Sequence, residues 1–437
     1  MFHGIGAIMP SNTHPKIAVI GLGYVGLPLA IALARHFPVT GFDINVERIA
    51  ELKDGVDRTR EIEASVLKET TLKPTANAAE LLQHDIYIVT VPTPVTEENL
   101  PDLNPLRKAS ETLGKYLSKN TIVVFESTVY PGVTEDFCGP ILEQASGLKA
   151  GRDFYLGYSP ERINPGDKKH TIDRITKVVS GQTPEVAELL KQVYGSINDG
   201  NVFVAANIKT AEAAKVIENA QRDINIAFIN EIATIVGKLG LSIFDVLDAA
   251  NTKWNFLQFQ PGLVGGHCIG VDPYYLAHCA RKLDHEPEVI LAGRRTNEGM
   301  GSFIVASIHD NLQKIGVKNN ARILILGLTF KEDIPDLRNT KVVDVISGLK
   351  KLGHSVDIHD PMADPKEAVE HLNLELLNNL QGVGDYDCVV GAVAHRSYLD
   401  FKGTDFQKLL RPKALVADIK NIWKKIEFPA EISYWTL

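Results

Sequence analysis

The sequence predicts an α/β protein in which two doubly wound domains are joined by a helical domain with a long central helix. Residues 16–26 (KIAVIGLGYVG) and 322–331 (RILILGLTFK) are alike, because each contains a short β-branched apolar run followed by glycine. Such runs are typical of buried strands in α/β domains. Between them, residues 208–236 contain neither Gly nor Pro, which predicts one helix of roughly 45 Å.

Composition excludes several classes of protein. The chain has 437 residues, enough for about three domains. Lys and Arg total 46 against 54 Asp and Glu, a net charge of −8, so a nucleic-acid-binding surface is not indicated. The four cysteines, Cys138, Cys268, Cys279 and Cys388, form no C-x-x-C pair. This spacing argues against a metal site and a disulfide framework, and for a reducing, cytoplasmic location.

The chain divides into four predicted segments, a flexible extension at 1–15, a doubly wound domain at 16–205, a helical domain at 206–318 and a second doubly wound domain at 319–437. Apolar runs predict further strands at 39–43, 86–91, 121–126 and 177–180 in the first of these domains, and at 355–359, 388–392 and 414–418 in the second. A helical stretch near 301–315 leads into the last domain.

One apolar segment has two further interpretations. Residues 17–34 form an uncharged run of 18 residues, the lower limit for a membrane-spanning helix. The run ends in Ala-Leu-Ala, which resembles a signal-peptidase site. Three glycines and Pro28 interrupt it, so we expect a strand, a turn and a buried helix, and no membrane association.

A glycine motif, Gly21-Leu-Gly23-Tyr24-Val25-Gly26, lies between the first predicted strand and the first predicted helix. In Rossmann-like domains these glycines permit the turn, the approach of a pyrophosphate and close helix–strand packing. Asp43 ends the next strand, 20 residues after Gly23, where a carboxylate binds a ribose hydroxyl and disfavours NADP. The motif predicts an NAD site; the structural alternative is a glycine turn with a capping aspartate.

Two more motifs lie at the ends of predicted strands, where open α/β sheets bind ligands, and a third is a proline-bounded loop. Residues 91–94 (VPTP) and 126–132 (ESTVYPG) carry hydroxyl groups that can hold a cofactor or a water. Residues 158–166 (YSPERINPG) carry one acid and one base. Ordinary turn chemistry, and a surface salt bridge in the third motif, are equally good interpretations of the spacing alone.

Polar residues on the long helix and a cysteine motif are candidates for chemistry. Lys215, Asn219 and Arg222 lie on one helix face, either as a solvated stripe or as the lining of a polar pocket. Cys268 lies in GGHCIGVD, with Asp272 four residues later. Glycine neighbours indicate an accessible cysteine, so a nucleophile is about as probable as a buried small hydrophobe. The adjacent His267 is interpreted as structural.

The last domain lacks the glycine motif of the first. GLTFK and DLRNT follow its first predicted strand, and Lys420 follows its last. Lys331 and Lys420 could each face a phosphate. The sequence therefore predicts a nucleotide site there, but no second dinucleotide in the usual pose.

Together these motifs resemble the UDP-glucose/GDP-mannose dehydrogenase family. The matching stretches are GLGYVGLP, VPTP, ESTVYPG, SPERINPG, AAKVIENAQRDIN, GGHCIGVDPYYL and GLTFKEDIPDLRNT, in the family's order over about residues 16–425. The resemblance implies an N-terminal NAD-binding domain, a helical domain that forms a homodimer and a C-terminal UDP-binding domain.

The resemblance also implies residue roles. Cys268 would be the nucleophile, with Lys215, Asn219 and Asp272 around the reacting carbon and Thr128 and Glu161 near the catalytic water. The glycine motif with Asp43, Arg48, Thr93, Thr128 and Arg338 would contact NAD. The substrate would contact Glu161, Arg162, Ile163, Lys215, Asn219, Arg222, Phe259, Gly262, Gly265, Phe330, Lys331 and Lys420.

Departures from the family pattern indicate a branch. Pro165 replaces an acid, and Val271 replaces a lysine, of the UDP-glucose branch. Residues 253–276 (KWNFLQFQPGLVGGHCIGVDPYYL) are most similar to the enzymes of Vi-antigen and O-antigen synthesis, which oxidise UDP-N-acetylglucosamine or UDP-N-acetylgalactosamine. Related enzymes often carry a basic residue near this stretch that serves the neighbouring subunit. Gln258 and Gln260 are neutral here, and Lys253 is the only nearby candidate.

The implied reaction is an NAD-dependent four-electron oxidation of carbon 6 to a carboxylate, through a cysteine thiohemiacetal and thioester, for surface polysaccharide synthesis. Either Glu161 or Asp272 would handle the proton of the water. The alternatives are a UDP-glucose or UDP-N-acetylmannosamine 6-dehydrogenase, a two-electron dehydrogenase, an NAD-dependent sugar epimerase and a non-catalytic NAD-binding scaffold.

Overall fold

The computed structural model describes residues 14–96, 98–163, 171–266, 269–317 and 320–437. Its strands, in chain order, are β1 (Ile17–Ile20), β2 (Val39–Phe42), β3 (Lys73–Thr75), β4 (Ile86–Val89), β5 (Ile122–Phe125), β6 (Tyr155–Tyr158), β7 (Lys177–Gly181), β8 (Val202–Val204), β9 (Arg322–Leu326), β10 (Ser355–His359), β11 (Tyr386–Gly391), β12 (Leu410–Asp418) and β13 (Ser433–Thr436).

The helices are α1 (Gly26–Ala34), α2 (Val46–Lys53), α3 (Ala64–Glu69), α4 (Asn104–Gly114), α5 (Gly139–Ser146), α6 (Pro184–Gly195), α7 (Ile208–Lys238), α8 (Ile243–Ala250), α9 (Asp272–Arg281), α10 (Glu288–Lys314), α11 (Val342–Lys351), α12 (Pro365–Leu372), α13 (Arg396–Leu399) and α14 (Gly403–Leu409). A 3₁₀ turn forms at Ala78–Leu81 and a π-helical turn at Val133–Cys138.

The described chain forms two compact units. Within the described ranges, the first comprises the residues up to Glu218 with Tyr274–His285, and the second comprises Asn219–Pro273 with Glu286–Leu437. The boundary between them falls within α7. The boundaries predicted for the four sequence segments stay a prediction.

The first unit is built on an eight-stranded sheet in the order β3-β2-β1-β4-β5-β6-β7-β8. Neighbouring strands are parallel except β6 and β7, which are antiparallel. All residues of β1, β4 and β5 are buried, as expected of a parallel sheet covered on both faces. The chain order reverses at β1, so the crevice outside the ends of β1 and β4 is the expected ligand site.

The second unit contains a five-stranded parallel sheet in the order β10-β9-β11-β12-β13. Here the chain order reverses at β9, between β10 and β11. Its core combines residues of β9, β11 and β12 with buried side chains of α7, α8, α10 and α11. The prediction of two doubly wound sheets and a helical region between them is confirmed.

The sequence analysis did not predict four strands, β3, β6, β8 and β13. β3 and β13 lie at sheet edges and β8 has three residues, so their apolar patterns are short. β6 is central but has the sequence YLGY. A Cβ on Gly157 would lie 2.6 Å from Leu190 Cδ1 of α6, so the glycine that weakens the strand pattern is required by helix packing.

The long helix is confirmed, and the second predicted helix begins earlier than expected. α7 runs from Ile208 to Lys238. α10 begins at Glu288 and ends at Lys314, whereas the sequence predicted a start near Gly301. A Cβ on Gly293 would lie 3.4 Å from Ile224 Cγ1 of α7. Gly293 therefore faces α7 at an ordinary contact distance inside the helix and does not end it.

The apolar run at 17–34 folds as the strand β1, a glycine turn and the helix α1, as predicted. All of α1 except Pro28 is buried. Within the described ranges, no helix is both long and apolar enough to cross a membrane.

Candidate functional site

The glycine turn after β1 has the shape that a dinucleotide requires. Gly21 has a φ of +96°, and a Cβ on Gly26 would overlap the carbonyl oxygen of Gly21. A Cβ on Gly23 would meet nothing within 4 Å, so open space lies where a pyrophosphate approaches the backbone. Thr90, which follows β4 and was not predicted, places its hydroxyl 2.7 Å from the Gly21 carbonyl oxygen.

Two polar residues predicted to contact NAD are fixed beside this turn. Asp43 accepts hydrogen bonds from the backbone N–H groups of Leu22 (2.8 Å) and Asn45 (2.9 Å), which orients its carboxylate at the end of β2. Arg48 is buried and donates to the Leu22 carbonyl oxygen (3.0 Å) and to Asp57 (2.7 Å). Arg48 therefore stabilises the turn by binding its Leu22 carbonyl oxygen.

Alanine at Gly23 and alanine at Gly26 should separate NAD binding from folding. Gly23→Ala is expected to change the free energy of unfolding by less than about 0.5 kcal/mol while weakening NAD binding about tenfold, the equivalent of about 1.4 kcal/mol. Gly26→Ala is expected to destabilise the fold by about 3 kcal/mol, because its methyl group overlaps the backbone.

Chemical denaturation and NAD titration of both variants test this pair. Wild-type NAD affinity in Gly23→Ala would show that the pyrophosphate does not approach this turn.

The two hydroxyl-bearing loops follow β4 and β5 as predicted. Thr93 and Thr128 are both half-buried there. Ser127 Oγ donates to the Val91 carbonyl oxygen (2.6 Å), which ties the loops together. The far end of the second loop is held by Glu212 of α7, which accepts from the N–H groups of Gly132 (2.5 Å) and Thr134 (2.9 Å). Burial raises the pKa of Glu212 to about 7.

Glu161, which follows β6, belongs to a buried cluster of four polar side chains. Lys177 Nζ lies 3.0 Å from Glu161 Oε2 and 2.8 Å from Glu126 Oε2. Tyr194 Oη donates to Glu126 Oε1 at 2.5 Å. Glu161 also accepts from the backbone N–H groups of Arg162 and Ile163, both at 2.6 Å.

The cluster keeps Glu161 ionised. Burial alone raises the pKa of Glu161, but the Lys177 ammonium and the two backbone donors outweigh it, and the pKa lies below its usual value. Burial likewise lowers the pKa of Lys177, but the two carboxylates outweigh it and the pKa is raised. Burial dominates at Glu126 and raises its pKa. Lys177, Glu126 and Tyr194 were not predicted as site residues.

Arg162 does not pair with the adjacent Glu161. Its guanidinium lies 2.9 Å from Glu218 Oε1 and donates to the Thr176 carbonyl oxygen at 3.1 Å. The surface salt bridge considered as the alternative for this motif is thus present, but with Glu218 as the acid. The same motif therefore supplies one buried carboxylate and one surface ion pair.

Polar residues of α7 differ in exposure. Lys215, in the first unit, and Asn219, in the second, are buried, and Arg222 is exposed. Asn219 Nδ2 donates to Asp272 Oδ2 at 2.5 Å. Asp272 is the first residue of α9 and is 1% exposed, and the positive end of the helix dipole favours a carboxylate there.

His267 and Cys268 lie outside the described residues, and the glycines that precede them serve internal packing. A Cβ on Gly265 would lie 2.7 Å from the Asn339 carbonyl oxygen, and one on Gly266 would lie 2.8 Å from the Phe330 ring. Close packing against Asn339 and Phe330 thus accounts for glycine at both positions.

The loop that leads to this motif is fastened by an amide clamp. Asn230 of α7 accepts from the Gly262 N–H (2.8 Å) and donates to the Gly262 carbonyl oxygen (3.0 Å). It also donates to Asn297 Oδ1 (2.8 Å), and Asn297 donates to Asp223, which pairs with Arg294 at 2.6 Å. A Cβ on Gly262 would lie 3.1 Å from Lys420 Nζ, so the clamp places this loop against a predicted phosphate ligand.

A basic cleft in the second unit brings together four residues of the predicted substrate set. The cleft lies at the ends of β9, β11 and β12. It is lined by Gly265, Phe330, Lys331, Lys420 and other residues, among them Lys341 and Glu332. Gly262 lies beside it, since a Cβ there would be 3.1 Å from Lys420 Nζ. Burial lowers the pKa of Lys420, and Glu332 partly offsets this. Lysines here suit a diphosphate.

The remaining predicted residues of the second unit lie near this cleft or on the surface. Phe259 is half-buried and packs against the core. Arg338 is about half exposed and pairs with Asp336, with Nη2 and Oδ2 2.7 Å apart. Asp360, which follows β10 as Asp43 follows β2, accepts from the Thr329 N–H (2.9 Å) and lies 3.0 Å from His395 Nε2. Protein groups thus already engage this carboxylate, and the absence of a second dinucleotide site there stays a prediction.

Comparison with known proteins gives a consistent assignment along the chain. Residues 15–198 match the NAD binding domain of the UDP-glucose/GDP-mannose dehydrogenase family, residues 209–299 match its central domain and residues 324–425 match its UDP binding domain.

Individual relatives match over nearly the whole chain. Protein CapL of Staphylococcus aureus is 52% identical over 97% of this chain and 99% of its own. UDP-N-acetyl-D-glucosamine 6-dehydrogenase of Pseudomonas aeruginosa is 50% identical over 93% of this chain and 97% of its own. The structure of the UDP-D-ManNAc dehydrogenase of Pyrococcus horikoshii superposes with a TM-score of 0.87 at 31% identity, covering 96% of this chain and 98% of the other.

Proposed function

The chain belongs to the UDP-glucose/GDP-mannose dehydrogenase family and is an NAD-dependent nucleotide-sugar 6-dehydrogenase, and we propose that it oxidises carbon 6 of UDP-N-acetylglucosamine to the carboxylate. Identity supports this sugar, because the UDP-N-acetyl-D-glucosamine enzyme is 50% identical and the UDP-D-ManNAc enzyme is 31% identical. Pro165 and Val271 support the same branch against UDP-glucose.

The cofactor site fits NAD by its own geometry. Gly23 leaves open space at the turn, Gly26 allows α1 to pack against it, and Asp43 presents a fixed carboxylate at the end of β2. When bound, NAD accepts the hydride in each oxidation. The chain's part is to bind the sugar, hold the reacting carbon and move protons.

Covalent capture by Cys268 divides the oxidation into steps. The thiolate adds to the carbon-6 aldehyde, and the resulting thiohemiacetal becomes a thioester when its hydride leaves. We assign Lys215 and Asn219 to the oxyanion that forms during addition, since positioned donors stabilise developing charge. Asn219 has two amide N–H groups, and Asp272 accepts one of them. Asp272 therefore orients the amide, and the second N–H can serve the oxyanion.

Hydrolysis of the thioester requires a base for water, and we assign this role to Glu161. The water oxygen forms the new bond to carbon 6, its proton goes to Glu161, and the carbon–sulfur bond breaks with its electron pair on sulfur. The single observation that carries this choice is the buried ion pair that keeps Glu161 as a carboxylate. Asp272 is already engaged with Asn219.

The second unit would hold the UDP part of the substrate. Its basic cleft places Lys331 and Lys420 at the ends of β9 and β12, where two ammonium groups can neutralise a diphosphate. Phe330 packs against Gly266, two residues before Cys268. This contact links the nucleotide cleft to the nucleophile along the chain.

We further propose a cytoplasmic homodimer that supplies a uronic acid for surface polysaccharide synthesis. Phe228 and Ile235, seven residues apart on α7, are 56% and 50% exposed. Large apolar side chains on one helix face favour a partner subunit. Cys138, Cys279 and Cys388 are free thiols, as expected in a reducing compartment.

Substrate competition tests the proposed sugar. We expect kcat/KM for UDP-N-acetylglucosamine to exceed that for UDP-glucose by at least about tenfold, because a site built around an acetamido group leaves polar atoms unpaired without it. UDP-N-acetylgalactosamine is the epimer control, and UDP-N-acetylmannosamine tests the more distant branch. A clear preference for UDP-glucose would refute the branch assignment and leave the family assignment intact.

A further inference from the structure

We propose that Lys177 is a positioning residue for hydrolysis: its ammonium holds the Glu161 carboxylate in place for water activation, while Glu126 and Tyr194 hold Lys177. This inference rests on the proposed role of Glu161. Nothing in the sequence motifs marked Lys177, which is the first residue of β7, a strand whose next three residues are buried valines and serine.

Geometry makes Lys177 the only salt-bridge partner of Glu161 in the described parts of the chain. Lys177 is 1% exposed, and its Nζ bridges Glu161 Oε2 at 3.0 Å and Glu126 Oε2 at 2.8 Å. The other oxygen of Glu161 accepts two backbone N–H groups at 2.6 Å. Both oxygens of the Glu161 carboxylate are thus hydrogen-bonded, which fixes the orientation of its remaining lone pairs.

The Lys177 ammonium also has partners other than Glu161. Glu126, which follows β5, accepts from Tyr194 Oη of α6 at 2.5 Å. The Lys177 ammonium also lies 5.4 Å from the centroid of the Tyr194 ring, within the range of a cation–π contact. Elements β5, β6, β7 and α6 therefore all contribute to one buried polar cluster.

Charge balance explains why the lysine is needed. Two carboxyl groups, Glu126 and Glu161, face the same ammonium in a buried site, and without it each would disfavour ionisation of the other. Burial already raises the pKa of Glu126, whereas Glu161 stays below its usual pKa. Removing the lysine would therefore favour protonation of Glu161, and a protonated carboxyl group cannot accept the proton of water.

The consequence is specific to one step of the reaction. In the proposed role Glu161 acts on the hydrolytic water and not on hydride removal or thioester formation, so these steps should proceed without Lys177. Hydrolysis should then become rate-limiting and the thioester should accumulate on Cys268. A loss of general-base assistance typically costs 10²–10⁴-fold.

Rapid-mixing kinetics on the full-length enzyme with Lys177→Met test this. We expect a burst of two NADH per active site, then steady turnover slower than wild type by about 10²-fold. Hydroxylamine, which attacks a thioester without a base, should speed turnover of the variant at least about tenfold and yield a hydroxamate. Lys177→Arg keeps the charge and should recover most of the lost turnover. Lys191→Met, at the surface pair with Glu188 (3.5 Å), is the matched control and should behave as wild type.

The outcomes distinguish the proposed positioning role of Lys177 from a purely structural role, and from a failure of the proposed function. If Lys177→Met binds NAD but loses burst and steady rates equally, with no response to hydroxylamine, the lysine is merely structural and the proposal is wrong. Should this variant not fold, Lys177→Met with Glu126→Gln removes the repelling charge as well and should show the same burst; wild-type hydrolysis in it would overturn the proposal. The proposed function is tested separately by wild type, which must itself give two NADH per sugar.

Discussion

Cys268→Ser is expected to lower kcat by about three orders of magnitude or more, the usual cost of deleting a nucleophile, while NAD binding stays normal. A serine hydroxyl is far less acidic than a thiol, so it adds poorly to the aldehyde. Its ester would also be hydrolysed more slowly than a thioester. Steady-state kinetics and NAD titration measure the two properties, and intact-protein mass spectrometry of the variant after substrate and NAD can detect a trapped adduct.

The other three cysteines provide controls of the same chemistry. Burial raises the pKa of the Cys138 thiol to about 12 and also raises the pKa of Cys388 and Cys279, so none is a thiolate at neutral pH. Replacing any of them by serine should leave kcat within about twofold, at a small packing cost. Full activity of Cys268→Ser with two NADH per sugar would refute the nucleophile assignment.

Glu161→Gln is expected to lower steady turnover by about 10²–10⁴-fold through a loss of hydrolysis alone. An amide cannot take the proton of water, and its NH₂ group would also oppose either the Lys177 ammonium or the two backbone donors. Quenched-flow measurement of NADH should show a normal burst of two NADH per site. Glu188→Gln, in the surface pair with Lys191, is the matched control.

The pH dependence of hydrolysis has a definite sign. Because the pKa of Glu161 lies below its usual value, the base is present throughout the neutral range and is lost only as the pH falls through that lowered pKa. Hydrolysis that declines between pH 8 and about 6.5, where histidine titrates, would contradict Glu161 as the base.

Local patterns were sufficient to predict nine of the 13 strands in the described ranges and the cofactor turn. Glycines at 21, 23 and 26 and the acid at 43 have a fixed relation to one strand–turn–helix unit, so spacing alone predicts their arrangement. The long helix α7 was also predicted from the sequence, because it contains no glycine or proline before Gly237. In α10, by contrast, the predicted start near Gly301 was wrong: this glycine lies inside the helix, where a Cβ would lie 3.1 Å from Asp344 Cβ of α11.

The polar clusters depend on tertiary contacts that a sequence does not display. Lys177 was placed in a buried strand, and a charge in such a strand signals a buried partner. Its partners are 51 and 16 residues away, and no periodicity joins them. In the sequence, Asn230 does not differ from other polar residues of a long helix. Its role depends on the tertiary contact with Gly262.

Counting NADH per sugar tests the central claim most directly. The account predicts two NADH and one new carboxylate for each UDP-N-acetylglucosamine consumed, because a cysteine-bound thioester commits the aldehyde to a second oxidation. One NADH with release of an aldehyde, or sugar conversion without NADH, would contradict it.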